Sequence, residues 1–126
     1  LRYPDLFCSA SPGGGGYETE KRISESGGFE SEKLKFAEGD NVYDLARIYA
    51  ARRDAGEAPD VKWLLHVGTK GFNYQNNLAY MKFLDSLDIK YQKVIVEDAN
   101  HSAARIYDKR GPAIVRFHLA NFGQTR

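Results

Sequence analysis

Apolar positions in this chain fall into short runs separated by polar stretches, and their spacing changes from run to run. Leu6-Phe-Cys-Ser-Ala-Ser11 is a brief apolar run ended by Pro12 and four glycines, which predicts a strand and then a loop. From Gly13 to Gly39 the chain is polar, rich in Glu, Lys and Ser and broken at Gly27-Gly28. That composition predicts irregular structure, of a length that compact domains mostly keep for functional or mobile loops. Asp40-Asn41 can cap a helix whose apolar residues Val42, Leu45, Ala46 and Tyr49 share one face. Arg52-Arg53 suit its C-terminal end, and Gly56 and Pro59 stop it. Val61 to Val67 is nearly continuous in apolar residues, as expected of a strand covered on both faces. Asn73 to Leu87 predicts a second helix with Leu78, Met81, Leu84 and Leu87 on its stripe, and Tyr91 to Val96 a third strand. Gly111-Pro112 marks a restart, with proline in the first turn of a terminal helix that buries Ile114, Val115, Leu119 and Phe122.

Strands alternating with helices imply an α/β fold of parallel strands joined by right-handed crossovers. No repeat and no internal boundary interrupts the 126 residues, so residues 1–126 are expected to form a single domain. The chain starts without Met and almost directly in strand-like sequence, which leads us to expect a piece of a longer protein. Eighteen basic residues against seventeen acidic ones leave no global field to recruit nucleic acid or an anionic membrane. No run approaches the roughly 18 apolar residues that span a bilayer, and no secretory signal is visible. The single cysteine, Cys8, excludes an intrachain disulfide and reads as a buried thiol beside Leu6, Phe7 and Ala10.

Of three histidines, His101 is the candidate for chemistry. It lies in the loop Glu97-Asp-Ala-Asn-His-Ser102 after a strand, where open α/β sheets place their functional groups. The loop Val67-Gly-Thr-Lys-Gly-Phe-Asn-Tyr-Gln-Asn-Asn77 follows the neighbouring strand. His66 falls among Leu64, Leu65 and Val67 and reads as a hydrogen-bonded core residue, while His118 reads as packing beside Phe117 and Leu119. No histidine pair has metal-binding spacing and no carboxylate cluster accompanies them, so neither a metal nor another cofactor is expected. Gly13–Gly16 lacks the Lys-Ser/Thr of a phosphate-binding loop, since Tyr17-Glu18-Thr19 follow, and it reads as a flexible loop at a site edge.

Arg2-Tyr-Pro-Asp-Leu-Phe-Cys-Ser-Ala-Ser-Pro-Gly-Gly-Gly-Gly16, Asp40-Asn-Val-Tyr-Asp-Leu-Ala46, the Val67–Asn77 loop and His101-Ser102 together resemble the esterase D-like and feruloyl-esterase-like family of α/β hydrolases. The resemblance covers most of the chain, in order, and corresponds to the C-terminal half of that fold: about three parallel strands with flanking helices. It implies a serine carboxyl-ester hydrolase in which a serine on a Gly-x-Ser-x-Gly elbow attacks an ester carbonyl, a histidine takes its proton and an acid orients the histidine. By position His101 matches the base. The acid belongs where this chain has Gly71, and no Gly-x-Ser-x-Gly occurs in the sequence. Asp98 and Glu97 are the nearby carboxylates, both placed close to His101 on its own strand end.

Two readings follow. In the first, the chain carries the histidine end of an esterase site, acts on a small-molecule ester only as part of a parent enzyme, and is inert alone. In the second it is a non-catalytic, truncated α/β-hydrolase-like binding or assembly domain, towards which Gly71 points. In both, the apolar strand around Phe7 is expected to pair with a second copy and make a homodimer through an exposed sheet edge.

Overall fold

A computed structural model of the chain describes residues 1–17 and 39–122. Among them one parallel sheet has the order β1 (Ser9–Ala10), β2 (Lys62–Gly68), β3 (Tyr91–Val96). Ser9 lies opposite Lys62, and Trp63 to Gly68 run opposite Tyr91 to Val96. Helix α1 (Val42–Asp54) leads from β1 to β2, α2 (Tyr74–Ser86) from β2 to β3, and α3 (Ala103–Asn121) follows β3.

The helix ends are written locally. The Asn41 side chain accepts the Tyr43 and Asp44 amides at 3.0 and 2.9 Å, filling two of the orphan donors at the start of α1. At its other end Gly56 takes a left-handed φ of 74°. Its amide bonds the Arg53 carbonyl and the Glu57 amide reaches Arg52, at 2.9 and 2.8 Å, a pairing that closes the helix with glycine in the left-handed position. The Arg53 guanidinium then donates to the carbonyls of Leu87 and Asp88, tying α1 to the end of α2.

Alternation along β2 sorts the core. Leu65 and Val67 join Tyr43, Ala46, Tyr49, Tyr80, Met81 and Leu84 on the face covered by α1 and α2. Leu64 faces the other way, with Val96, Ile106, Ile114 and Phe117 beneath α3. Each such aliphatic side chain contributes about 1.5–3 kcal/mol by leaving water. Tyr49 joins the first face to the strand: its hydroxyl donates to the Pro59 carbonyl at 3.2 Å and accepts the Val61 amide at 3.0 Å.

The expectations for α3, the first strand and Cys8 need correction. Helix α3 does not restart at Gly111-Pro112 but runs from Ala103 through both residues to Asn121. Pro112 has no amide to donate, and Gly111, lacking a Cβ, relieves the crowding that normally drives a pre-proline residue out of the helix. The buried stripe is therefore Ile106, Gly111, Ile114 and Phe117, whereas Val115, Leu119 and Phe122 stand 54%, 62% and 60% exposed. The strand expected from Leu6 to Ser11 is only two residues long. Pro4–Leu6 forms a single helical turn before it, Leu6 and Phe7 are exposed, and Cys8 is only partly buried. Of the polar stretch 13–39, residues 18–38 lie outside the described residues.

Candidate functional site

Two loops meet at the C-terminal ends of β2 and β3, as their positions after the strands imply. Their backbones are laced together: the Thr69 amide bonds the Val96 carbonyl at 3.1 Å and the Lys70 amide bonds the Ala99 carbonyl at 2.9 Å. The Asp98 amide donates to the Thr69 hydroxyl at 3.0 Å. Gly68 makes the approach possible, because a Cβ there would stand 2.2 Å from the Ala99 carbonyl oxygen.

His101 projects from the second loop into solvent, just before Ser102, whose hydroxyl caps α3 by accepting the Arg105 amide. Its ring lies 4.8 Å from that of Phe72. A Cβ on Gly14 would sit 3.3 Å from His101 Nδ1 and 3.5 Å from its Cε1, so the Nδ1–Cε1 edge of the ring faces the glycine loop. His101, His66, Gly13, Gly14, Ser102 and Tyr107 line much of one cavity of about 210 Å³.

The glycine loop is fastened, where the sequence suggested a flexible edge. The Gly14 amide bonds the His66 carbonyl at 2.7 Å. Asn73 Nδ2 donates to the carbonyls of Gly14 and Gly15, and Asn77 Nδ2 reaches Gly15 at 2.9 Å. Neither asparagine stands out in a sequence, since both sit at the start of an amphipathic helix pattern. The loop's own carbonyls are what give them work.

Gly71 lies where the resemblance puts the acid. A Cβ on it would be 3.8 Å from the His101 amide nitrogen, so this position does adjoin the histidine. Asp98 turns elsewhere: its carboxylate pairs with Lys70 Nζ at 2.9 Å, and that hydrogen bond and charge hold its pKa below the ordinary value. Its φ of 56° is a left-handed conformation that aspartate tolerates better than most residues. Glu97 is exposed, and its carbonyl accepts from Lys109 at 2.7 Å.

The other two histidines differ from expectation in opposite ways. His66 is buried, but neither ring nitrogen makes a hydrogen bond among the described residues. The ring fills the place of the side chain that Gly13 lacks, with Cε1 only 1.9 Å from where that Cβ would be. Burial holds its pKa below the ordinary value of 6.5, opposed more weakly by the Ser11 backbone. His118 is more than packing: Nδ1 and Nε2 bond the hydroxyls of Ser9 and Ser11 at 2.8 and 2.7 Å, fastening α3 to β1. Among the described residues no group of three or more His, Cys, Asp or Glu could hold a metal, and no helix is long and apolar enough to cross a membrane.

No family model and no curated protein matches the chain. Solved structures do. An S-formylglutathione hydrolase (FrmB) from Staphylococcus aureus, as apoenzyme, is 23% identical over 91% of this chain and 44% of its own, with a TM-score of 0.59. FphF, a fluorophosphonate-binding serine hydrolase of the same organism with substrate bound, is 21% identical over 89% of this chain and 45% of its own, with a TM-score of 0.61. The chain thus spans less than half the length of either. The likeness shows the fold: three parallel strands with their helices, as in part of an α/β hydrolase.

Proposed function

We propose that this chain forms the histidine end of a serine carboxyl-ester hydrolase site, on the C-terminal portion of that fold. The observation that carries the reading is His101: exposed in the loop after β3, beside the loop of Gly71, with the Nδ1–Cε1 edge of its ring against the glycine loop. Such an imidazole is disposed to take a proton on Nε2 from a hydroxyl nucleophile as that oxygen attacks an ester carbonyl. It would return the proton to the departing alkoxide, leaving an acyl-enzyme, and repeat both transfers with water to release the acid. The nucleophile is not part of this sequence, which contains no Gly-x-Ser-x-Gly.

The test is a chimera in which this chain replaces the matching part of the S-formylglutathione hydrolase, assayed with p-nitrophenyl acetate. The chain alone should not exceed the buffer blank. The chimera should turn over, and His101→Ala should lower its kcat by a further factor of about 10², the difference between losing a base and losing only an acid. A chimera indifferent to His101→Ala would exclude the reading.

A second reading, a non-catalytic assembly domain, is favoured by Gly71 and by the exposed Leu6, Phe7, Val115, Leu119 and Phe122. Phe122 stacks on His118, which bonds Ser9 of β1, so part of this apolar surface adjoins the edge of the sheet. A second copy would cover it as a homodimer.

A further inference from the structure

Phe72 is 85% exposed, the most exposed of the large apolar side chains among the described residues. Single exposed phenylalanines are common and need no reason by themselves. This one leans on the candidate base. Its ring centre lies 4.8 Å from that of His101, with the two planes inclined at 58°. Separation and tilt both fall in the range that aromatic pairs prefer.

The backbone beneath Phe72 is fixed on both sides. Gly71 donates its amide to the Gly68 carbonyl and accepts the Tyr74 amide, each at 3.0 Å, so residues 68–74 form two successive turns. Asn73 is clamped through its side chain to the carbonyls of Gly14 and Gly15. A residue between such neighbours has little backbone freedom, and its side chain is aimed by the turn rather than by burial. The loop of His101 is tied to the same segment, since the Lys70 amide bonds the Ala99 carbonyl at 2.9 Å. Both rings therefore stand on one braced piece of backbone.

The imidazole has little else to hold it. It is exposed, and among the described residues its nitrogens make no hydrogen bond. Its Nδ1–Cε1 edge faces Gly14, whose missing Cβ would lie 3.3 and 3.5 Å from those two atoms. Glycine lets the ring come close to the loop but offers no side chain to keep it there.

We infer that Phe72 is the positioning residue for His101, its ring being the contact that, with Gly14, holds the imidazole in one rotamer. A base kept in place meets its proton partner in the geometry that the transfer needs. Because Phe72 buries so little of itself, its loss leaves the core untouched. The inference rests on the reading of His101 as the base, but its first test does not use turnover.

The experiment measures the three-bond Hα–Hβ couplings of His101 by NMR on the isotope-labelled chain. The wild type should give the couplings of a single rotamer, with NOEs between the two rings. Phe72→Ala should average the couplings, the ratio of the favoured rotamer to the others falling about two- to tenfold, the scale of one aromatic pair. Phe72→Tyr keeps a ring in place and should restore the wild-type values. Neither variant should move the Tm, so a damaged fold cannot account for the change. In the chimera Phe72→Ala should lower kcat by up to the same factor and leave KM unchanged, because a displaced ring spoils the step and not the binding. Couplings already averaged in the wild type, or unmoved by Phe72→Ala, overturn the inference. So does a KM that rises while kcat holds, which would make Phe72 a substrate contact instead. A chimera indifferent to His101→Ala, beside couplings that respond to Phe72, would fault the base and leave the contact between the rings standing.

Discussion

Gly71→Asp returns a carboxylate to the place beside His101, and both its gain and its cost can be worked from the neighbours of the missing Cβ. Replacing a triad acid by its amide costs about 10⁴ in turnover, largely through the wrong tautomer. A carboxylate on residue 71 fixes the right tautomer and stabilises the imidazolium, and the expected rise in kcat of the chimera is about 10³ to 10⁴. The cost is steric. The new Cβ meets Asn73 Oδ1 at 2.9 Å and the Gly68 carbonyl oxygen at 3.2 Å. The amide must swing away, which strains or breaks its bonds to Gly14 and Gly15, at about 1 kcal/mol each. A loss of about 2 kcal/mol should lower the Tm of the isolated chain by roughly 6–10 °C. Steady-state kinetics on the chimera and thermal unfolding of the chain by circular dichroism measure the two effects. An unchanged kcat with the fold intact would refute the reasoning and mean that some other group already stabilises the charged ring. Asp98 would be the first to examine, although its carboxylate is engaged by Lys70.

Tyr49→Phe removes one donor and one acceptor at once and leaves the buried Val61 amide unpaired; urea unfolding should show a loss of about 1–3 kcal/mol. His66 has a pKa held below its ordinary 6.5 by burial, so the unfolded chain takes up a proton that the folded one resists. Its contribution is whole above about 6.5 and is lost as pH falls below that value; Tm should therefore drop on acidification, and His66→Phe should flatten the slope, an unchanged slope counting against the assignment. Sedimentation equilibrium at micromolar concentration should give twice the chain mass of 14.2 kDa if the exposed apolar residues just before β1 and along α3 pair with a second copy. A cooperative monomer would defeat that expectation.

Much of the scaffold was legible because its signals are local. Asn41 as a cap, Gly56 as a left-handed stop, the continuous apolar run of β2 and the stripe of α2 each depend on residues within a few positions of one another. Such features persist whatever the rest of the chain does. The placement of His101 on a loop beside that of Gly71 was also readable, since the alternation of strands and helices brings those loops to one end of a parallel sheet. Tertiary structure decided the rest. Apolar residues occupy most of the circumference of α3 from Ala113 to Phe122, so periodicity alone could not choose a face; the sheet chose Ile114 and Phe117 and left Val115 and Leu119 in water. The bond of His118 to Ser9 and Ser11 joins residues 109 and 107 positions apart, beyond any local pattern. Asn73 has the same explanation. Its amide is ordinary as a helix cap, and it becomes a clamp on the glycine loop and a neighbour of His101 only because β1, β2 and β3 end side by side. Local propensity specifies elements, whereas the partners of a buried polar atom are set by which distant backbone folds against it.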